Sequence, residues 1–285
     1  MRSLRVITPA KINLYLGVLG SRQDGYHQIE TLFQAIDLSD ELIIREKVGE
    51  STIEVPGHSA LETEDNLVIR ALRWIENKVK EKIRVSLSLT KNIPESAGLG
   101  GGSSDAAATL LGIRELFDLN LGDDELNRGA LTLGADVPFF LTGGTAVGEG
   151  IGERLTPVTM PVNYRVLLVN PGFPVSTAAV FRKFSKGLTG RPAKGKLWNL
   201  LGEKCELEEL LHNDLQPVCE GLYPEISEIC NSLEDLGIRR AMMTGSGPTV
   251  FGTVEPYQGT KLRERIPKKW KTFLTRPSQR GVIID

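Results

Sequence analysis

The segment Asn92-Ile93-Pro94-Glu95-Ser96-Ala97-Gly98-Leu99-Gly100-Gly101-Gly102-Ser103-Ser104-Asp105-Ala106-Ala107 sets four glycines and two adjacent serines between two periodic patterns. Before it, residues 84–91 alternate: Val85, Leu87 and Leu89 are apolar, while Ser86, Ser88 and Thr90 are polar. That period of two predicts a half-buried strand. After it, Ala106, Leu110, Ile113 and Phe117 recur at helical spacing, with Ser103, Ser104 and Asp105 where first-turn or capping residues belong. Strand, glycine loop and helix N-terminus together make an anion site. Glycine lets backbone N–H groups turn toward a ligand, and the helix dipole adds partial positive charge. The guest this predicts is a polyphosphate. A Walker A loop is excluded, because Gly102 is followed by Ser103 and Ser104 with no lysine. A dinucleotide fingerprint starts at Gly98-Leu99-Gly100 but finds Ser103 where its last glycine belongs. A plain glycine turn that lets a helix pack on a sheet is the remaining alternative, and the paired serines weigh against it.

Outward from this loop, the chain reads as mixed α and β. Residues 14–19 and 30–36 are strand-like, and residues 41–45 followed by 52–55 read as a β-ribbon. Residues 66–80 are helical by period, with Leu67, Ala71, Leu72, Ile75 and Val79 on one face. Asp123-Asp124-Glu125 opens another helix that Gly134 stops. The glycine-rich residues 143–153 predict a turn and a strand. Residues 165–170 form an apolar run suited to a buried strand, followed by helices near 176–184, 206–211 and 226–236. A second strand pair, 240–243 and 249–253, is joined by Gly245-Ser246-Gly247, and residues 186–202 read as a loop. The 285 residues predict two domains, with a boundary near Pro157 and Pro161.

Composition excludes little. The formal net charge is −2 at pH 7, and hydrophobic and charged fractions are ordinary for a globular protein. No stretch has the apolar length of a membrane span, and the first residues lack a signal-peptide core, so a cytoplasmic protein is expected. Cys205, Cys219 and Cys230 have no metal-ligand spacing and read as reduced thiols. Residues 261–280 hold eight Lys or Arg against the single acid Glu264, but Pro267 and Pro277 interrupt them. They read as a solvated face, and no nucleic-acid partner is expected.

Transfer of a phosphoryl group asks for positioning, charge neutralisation and one group to orient or deprotonate the attacking hydroxyl. Asp136, between Gly134 and Val137-Pro138, is the candidate for that group, with helix capping as the equal alternative. Lys11 interrupts an apolar strand (Ile7, Ile12, Leu14, Leu16). It either snorkels to solvent or supports a carboxylate. Tyr26 and His27 follow the turn signal Asp24-Gly25 and are surface decoration unless a flat ring binds there. His58 and His212 have no catalytic neighbours in sequence, and Asp105 reads as a first-turn helix charge.

The loop Pro94-Glu95-Ser96-Ala97-Gly98-Leu99-Gly100-Gly101-Gly102-Ser103-Ser104 resembles the phosphate loop of the GHMP kinases, the superfamily of galactokinase, homoserine kinase and the mevalonate kinases. Four further segments share the likeness: Pro9-Ala10-Lys11-Ile12-Asn13-Leu14, Asp24-Gly25-Tyr26-His27, Leu133-Gly134-Ala135-Asp136-Val137-Pro138-Phe139-Phe140, and Gly245-Ser246-Gly247-Pro248-Thr249-Val250-Phe251-Gly252. Together they are similar to the branch that phosphorylates a cytidine diphosphate ester of methylerythritol on the non-mevalonate route to isoprenoids. The resemblance implies an α+β fold of two domains, 1–158 ribosomal-S5-like and 159–285 ferredoxin-like, with the active site between them. It implies ATP on the loop, Lys11 and Asp136 as the catalytic pair, and Asn13 helping to place the substrate. It further implies Tyr26 stacked on cytosine, His27 at the base edge and Phe181 closing the other face. Mg²⁺ follows from the use of ATP, with its protein ligands open. The rival readings are a homoserine- or mevalonate-type kinase and a non-catalytic nucleotide-binding relative. Tyr26 and His27 speak against the first, and retention of both Lys11 and Asp136 against the second.

Overall fold

The computed structural model describes residues 2–185, 195–202 and 206–285. Two long strands, β1 (Ser3–Ser21) and β2 (His27–Glu46), form an antiparallel hairpin that organises the first half. Its register shifts at Pro9/Ala10, Asn13/Tyr15 and Val18/Gly20, and such irregularities bend a strand and re-aim its side chains. Strand β4 (Val85–Thr90) pairs antiparallel with β2, and β3 (Thr52–Glu54) pairs parallel with β4. Residues 41–45 and 52–55 are therefore no ribbon: β4 lies between them, and the Ser51 hydroxyl fixes the register by donating to the Ile83 carbonyl at 2.8 Å. On β2's other stretch, β5 (Thr145–Gly150) pairs with it and with β6 (Arg154–Pro157).

Helices α1 (Leu67–Val79), α2 (Gly101–Leu116), α3 (Asp123–Leu133) and α4 (Val137–Thr142) belong to this half. Asn66 caps α1 by accepting the Val68 N–H at 2.9 Å, a bond that contributes about 1 kcal/mol in typical helices. The α1 stripe Val68, Ala71, Leu72 and Ile75 is buried with Val85, Leu87 and Leu89 of β4 and Ala106, Leu110 and Ile113 of α2.

The second sheet is antiparallel throughout, in the order β11 (Lys271–Thr275), β7 (Arg165–Asn170), β10 (Val250–Val254), β9 (Ala241–Met243). Its helices are α5 (Thr177–Ser185), α6 (Lys196–Gly202), α7 (Leu207–Leu210), α8 (Gln216–Leu222), α9 (Glu225–Asp235) and α10 (Gly259–Arg265). Residues 196–202, expected as loop, are thus helical: Leu197 is buried and its N–H donates to Glu30 at 3.1 Å. The rest of that expected loop, 186–194, and Cys205 lie outside the described residues. Two short strands, β8 (His212–Asn213) and β12 (Ile283–Ile284), return to pair with β1. The architecture is α+β, as expected.

Candidate active site

The loop after β4 is shaped by three left-handed residues, Ser96 (φ 49°), Gly98 (φ 75°) and Gly100 (φ 73°). Gly100, and not a serine, is the N-cap of α2, so Ser103 and Ser104 fall inside the helix. A side chain on Gly98 is impossible in place: its Cβ would lie 2.2 Å from the Thr244 carbonyl oxygen. The Gly245-Ser246-Gly247 turn is therefore packed against the loop. β1 holds the loop from the other side, the Lys11 N–H donating to the Leu99 carbonyl at 2.9 Å. Thr244 joins these parts through its hydroxyl, which accepts the Asn13 N–H at 3.0 Å.

The loop forms one wall of a cleft of about 1540 Å³. Of its residues, Pro94 through Gly98 and Gly100 through Ser103 line the cleft. Leu99 and Ser104 are buried instead, and among the described residues the Ser104 Oγ has no hydrogen-bond partner. Glu95 bonds His58 Nδ1 at 2.6 Å, and His212 pairs with Asp214 at 2.7 Å.

At the floor, the Lys11 ammonium lies 3.3 Å from Asp136 Oδ2 and donates to Asn13 Oδ1 at 2.7 Å. The Lys11 side chain is 4% exposed and that of Asp136 34% exposed. Lys11 does not snorkel to solvent. Asp136 occupies the N-cap position of α4 yet makes no side-chain capping bond. The Asn13 amide is oriented by donating to the Thr31 hydroxyl at 2.8 Å. Gly245 comes so close that a Cβ on it would stand 3.4 Å from Lys11 Nζ.

Further along the cleft, the His27 and Phe181 rings meet at 4.8 Å between centroids, and Tyr26 stands beside them 58% exposed. Burial pushes the His27 imidazole below its ordinary pKa, so the ring is neutral at neutral pH. The structure thus brings together in one cleft the candidate catalytic, ATP-binding and substrate-binding residues, apart from the inward-facing Leu99 and Ser104. Thr244, Thr31 and the ionic partners Asp40 and Lys91 carry no mark in the sequence, and Asp105, expected as a first-turn helix charge, is instead buried beyond the first turn of α2 and paired with Lys91. Their partners lie on other elements, from 14 residues away for Lys91 and Asp105 to 231 for Asn13 and Thr244, and no local pattern marks them. Among the described residues, no group of three or more His, Cys, Asp or Glu is placed to hold a metal.

Residues 66–144 match the family described as GHMP kinases N terminal domain, and residues 197–272 match GHMP kinases C terminal. A 4-diphosphocytidyl-2-C-methyl-D-erythritol kinase of Syntrophus aciditrophicus is 41% identical over 276 residues, covering 96% of this chain and 99% of its own. Among solved structures, a 4-(cytidine 5'-diphospho)-2C-methyl-D-erythritol kinase superposes with a TM-score of 0.80 at 32% identity, over 96% of this chain and 99% of that one. A homoserine kinase from Cytophaga hutchinsonii superposes with a TM-score of 0.78 over 100% of this chain and 98% of its own, but at 18% identity it speaks to fold alone. Likeness of the first two kinds, over nearly the whole of both chains, places this chain in the 4-diphosphocytidyl-2-C-methyl-D-erythritol kinase family of GHMP kinases, which are ATP-dependent small-molecule kinases.

Proposed function

We propose that this kinase transfers the γ-phosphoryl group of ATP to the 2-hydroxyl of 4-diphosphocytidyl-2-C-methyl-D-erythritol. The observation that carries the reading is the Lys11–Asp136 pair at 3.3 Å, in one cleft with the glycine loop and the His27–Phe181 rings. ATP lies with its phosphates on the loop 94–104, where N–H groups at the start of α2 meet the negative charge. Asp136 takes the hydroxyl proton as the new O–P bond forms, the bond from the γ-phosphorus to its bridging oxygen breaks, and ADP leaves. The Lys11 charge stabilises the carboxylate and the negative charge growing on the attacking oxygen. Asn13, itself held by Lys11 and Thr31, orients the alcohol end of the substrate. Tyr26, His27 and Phe181 hold the cytosine. Two units, 1–158 and 159–285, frame the cleft.

The residues present do not form a dedicated magnesium cage, since no acidic cluster of three faces the loop among the described residues. In this reading Mg²⁺ arrives on the ATP phosphates, as is usual for this ion, and no step is routed through a protein-bound metal. The partner is a small molecule, in a cytoplasmic enzyme that needs neither nucleic acid nor membrane. Among the described residues, no helix is long and apolar enough to cross a membrane.

The test is ADP release with a panel of alcohols: the cytidine diphosphate ester, free methylerythritol phosphate, homoserine and mevalonate. Turnover confined to the cytidine ester is expected. Preference for homoserine or mevalonate would overturn the substrate assignment, and ADP release with none of them would overturn the kinase reading.

A further inference from the structure

Beside the start of α2, with Lys91 and Asp105 reaching the wall of the same cleft, lies a buried charge cluster to which the reaction above assigns no role. The Lys91 side chain, at the end of β4, is 5% exposed, and its ammonium bridges Asp40 of β2 and Asp105 of α2, the latter at 2.7 Å. A Cβ on Gly101 would stand 3.3 Å from Lys91 Nζ, so the ammonium lies against the first residue of the helix. The second oxygen of Asp105 accepts the Thr8 hydroxyl of β1 at 2.7 Å. The second oxygen of Asp40 accepts two backbone N–H groups, from Asn92 at 2.5 Å and Ile93 at 2.8 Å. Residues 91–93, where the loop begins, are thereby tied through one lysine to residue 105, just beyond its end. Both ends are tied in turn to β1 and β2.

A buried ionic cluster is weak evidence for stability, because desolvating the charges offsets much of their attraction. Here two carboxylates share one ammonium close to a helix N-terminus that must receive phosphate. Apolar side chains would fill the same space without bringing negative charge toward the ligand. What they would not do is fix the loop's two ends at a set distance and angle. We propose that Asp40, Lys91 and Asp105 are positioning residues for ATP, locking the start of the phosphate loop against the first turn of α2 so that its N–H groups face the cleft before the nucleotide arrives. The proposal rests on reading residues 94–104 as the phosphate loop. Preorganisation of this kind strengthens binding by removing the ordering cost from the binding step.

Asp40→Asn is the sharpest variant. It keeps an oxygen for the Asn92 and Ile93 N–H groups but turns an amide NH₂ toward Lys91, so the link breaks while the loop start stays capped. Lys91→Met/Asp105→Asn breaks the same link without leaving Asp105 as a second lone buried carboxylate. Calorimetry with ATP, and separately with cytidine diphosphate, is run on wild type and both variants after melting curves show that they fold. Loss of a preorganised loop is expected to weaken ATP by about tenfold or more and to leave the cytidine ligand within about twofold. In turnover the loss should fall on KM for ATP rather than on kcat. Combining Asp40→Asn with Lys91→Met/Asp105→Asn should weaken ATP no further than the worse of the two, because all three changes break one link.

Equal weakening of both ligands, or ATP affinity within about twofold of wild type in folded variants, would overturn the proposal. So would a loss seen only where Lys91 is changed, which would make that lysine a direct phosphate contact. Wild type that binds no ATP would overturn the loop reading and this inference with it, an outcome distinct from all of these. The binding arm needs no alcohol substrate, so it stands whichever alcohol the kinase phosphorylates.

Discussion

Asp136 stands at the N-cap of α4 with its carboxylate turned away from capping and toward Lys11. A capping aspartate bonds the N–H of the second or third helical residue, and its loss typically costs about 1 kcal/mol. Without that bond, Asp136→Asn removes a charge facing the cleft and little that holds the helix. The melting temperature is therefore expected to hold, and ATP affinity with it, while kcat falls by about a hundredfold or more, as for loss of a general base. Steady-state kinetics beside a melting curve reads both. Near-normal turnover would remove Asp136 from the base role, whereas a large drop in melting temperature would return it to a structural one. The glycines at this scale have equally specific reasons. Gly98 meets the Thr244 carbonyl and Gly245 meets Lys11, both at left-handed φ, where a Cβ is strained as well as crowded.

The elements around the loop carry a proton-linked signature. Burial pushes the Asp105 carboxyl up to about 6; Lys91 opposes that rise and the Asp40 charge adds to it. The groups facing it are Lys91 from the end of β4, Asp40 from β2 and the Thr8 hydroxyl from β1. For Lys91 itself, burial disfavours the charge, but the two carboxylates outweigh it and hold its pKa above the ordinary value. An unfolded aspartate titrates near 3.9. Between these values the folded state keeps a proton that the unfolded chain has lost, so stability is fully present below the lower value and falls as pH rises through the upper one. Asp105→Asn has no such proton. The melting temperature of wild type minus that of Asp105→Asn is therefore expected to fall from about pH 4 to pH 7; a flat or rising difference would refute the raised carboxyl.

The same elements show what a sequence exposes. Residues 84–91 and the α1 stripe were legible because one face of each is buried against one neighbour, which leaves a clean period of 2 or 3.6. β1 and β2 were legible only in pieces, since their bulges break the alternation and several of their polar residues, Lys11, Asn13, Thr31, Gln34 and Asp40, are buried. The ribbon expected from residues 41–45 and 52–55 failed because nothing local says that β4 inserts between them. α8 leaves a fainter mark in the sequence: in its seven residues Cys219 is the only one buried, so there is no apolar stripe to give its bounds. At the site, the glycine loop, Lys11 and Asp136 could be found as residues of unusual type in a local setting. Asp40, Thr8 and Thr244 could not, because their meaning lies in partners from other elements.

At the scale of the molecule, the cleft draws on both sheets and their helices. His27 opens β2 in the first sheet, and Phe181 rides on α5, which follows β7 of the second. The two parts are held in register at the loop itself: the Val175 N–H donates to the Ser96 carbonyl at 3.3 Å, and Thr244 accepts from Asn13 at 3.0 Å. In the proposed reaction, a ring bound beside His27 and Phe181 has its position tied to the ATP end through these bonds. A neutral imidazole offers one donor and one acceptor, which suits the edge of cytosine; uracil exchanges an amine for a carbonyl and leaves polar groups unpaired. Sites of that kind reject the mismatched partner strongly. Wild type is expected to turn over the cytidine ester and to use a uridine analogue at least about tenfold less well. Tyr26→Ala should weaken the cytidine ligand by roughly 1–3 kcal/mol, the range for a lost stacking platform, with ATP affinity unchanged. His27→Ala should narrow the cytidine-over-uridine ratio more than it lowers affinity, since it removes the group that reads the edge and leaves the Tyr26 and Phe181 platforms in place. Turnover of both esters by wild type and the two variants separates these roles. Equal use of cytidine and uridine esters by wild type would show that the paired rings do not read the base, and the cleft would then serve the phosphates and the alcohol alone.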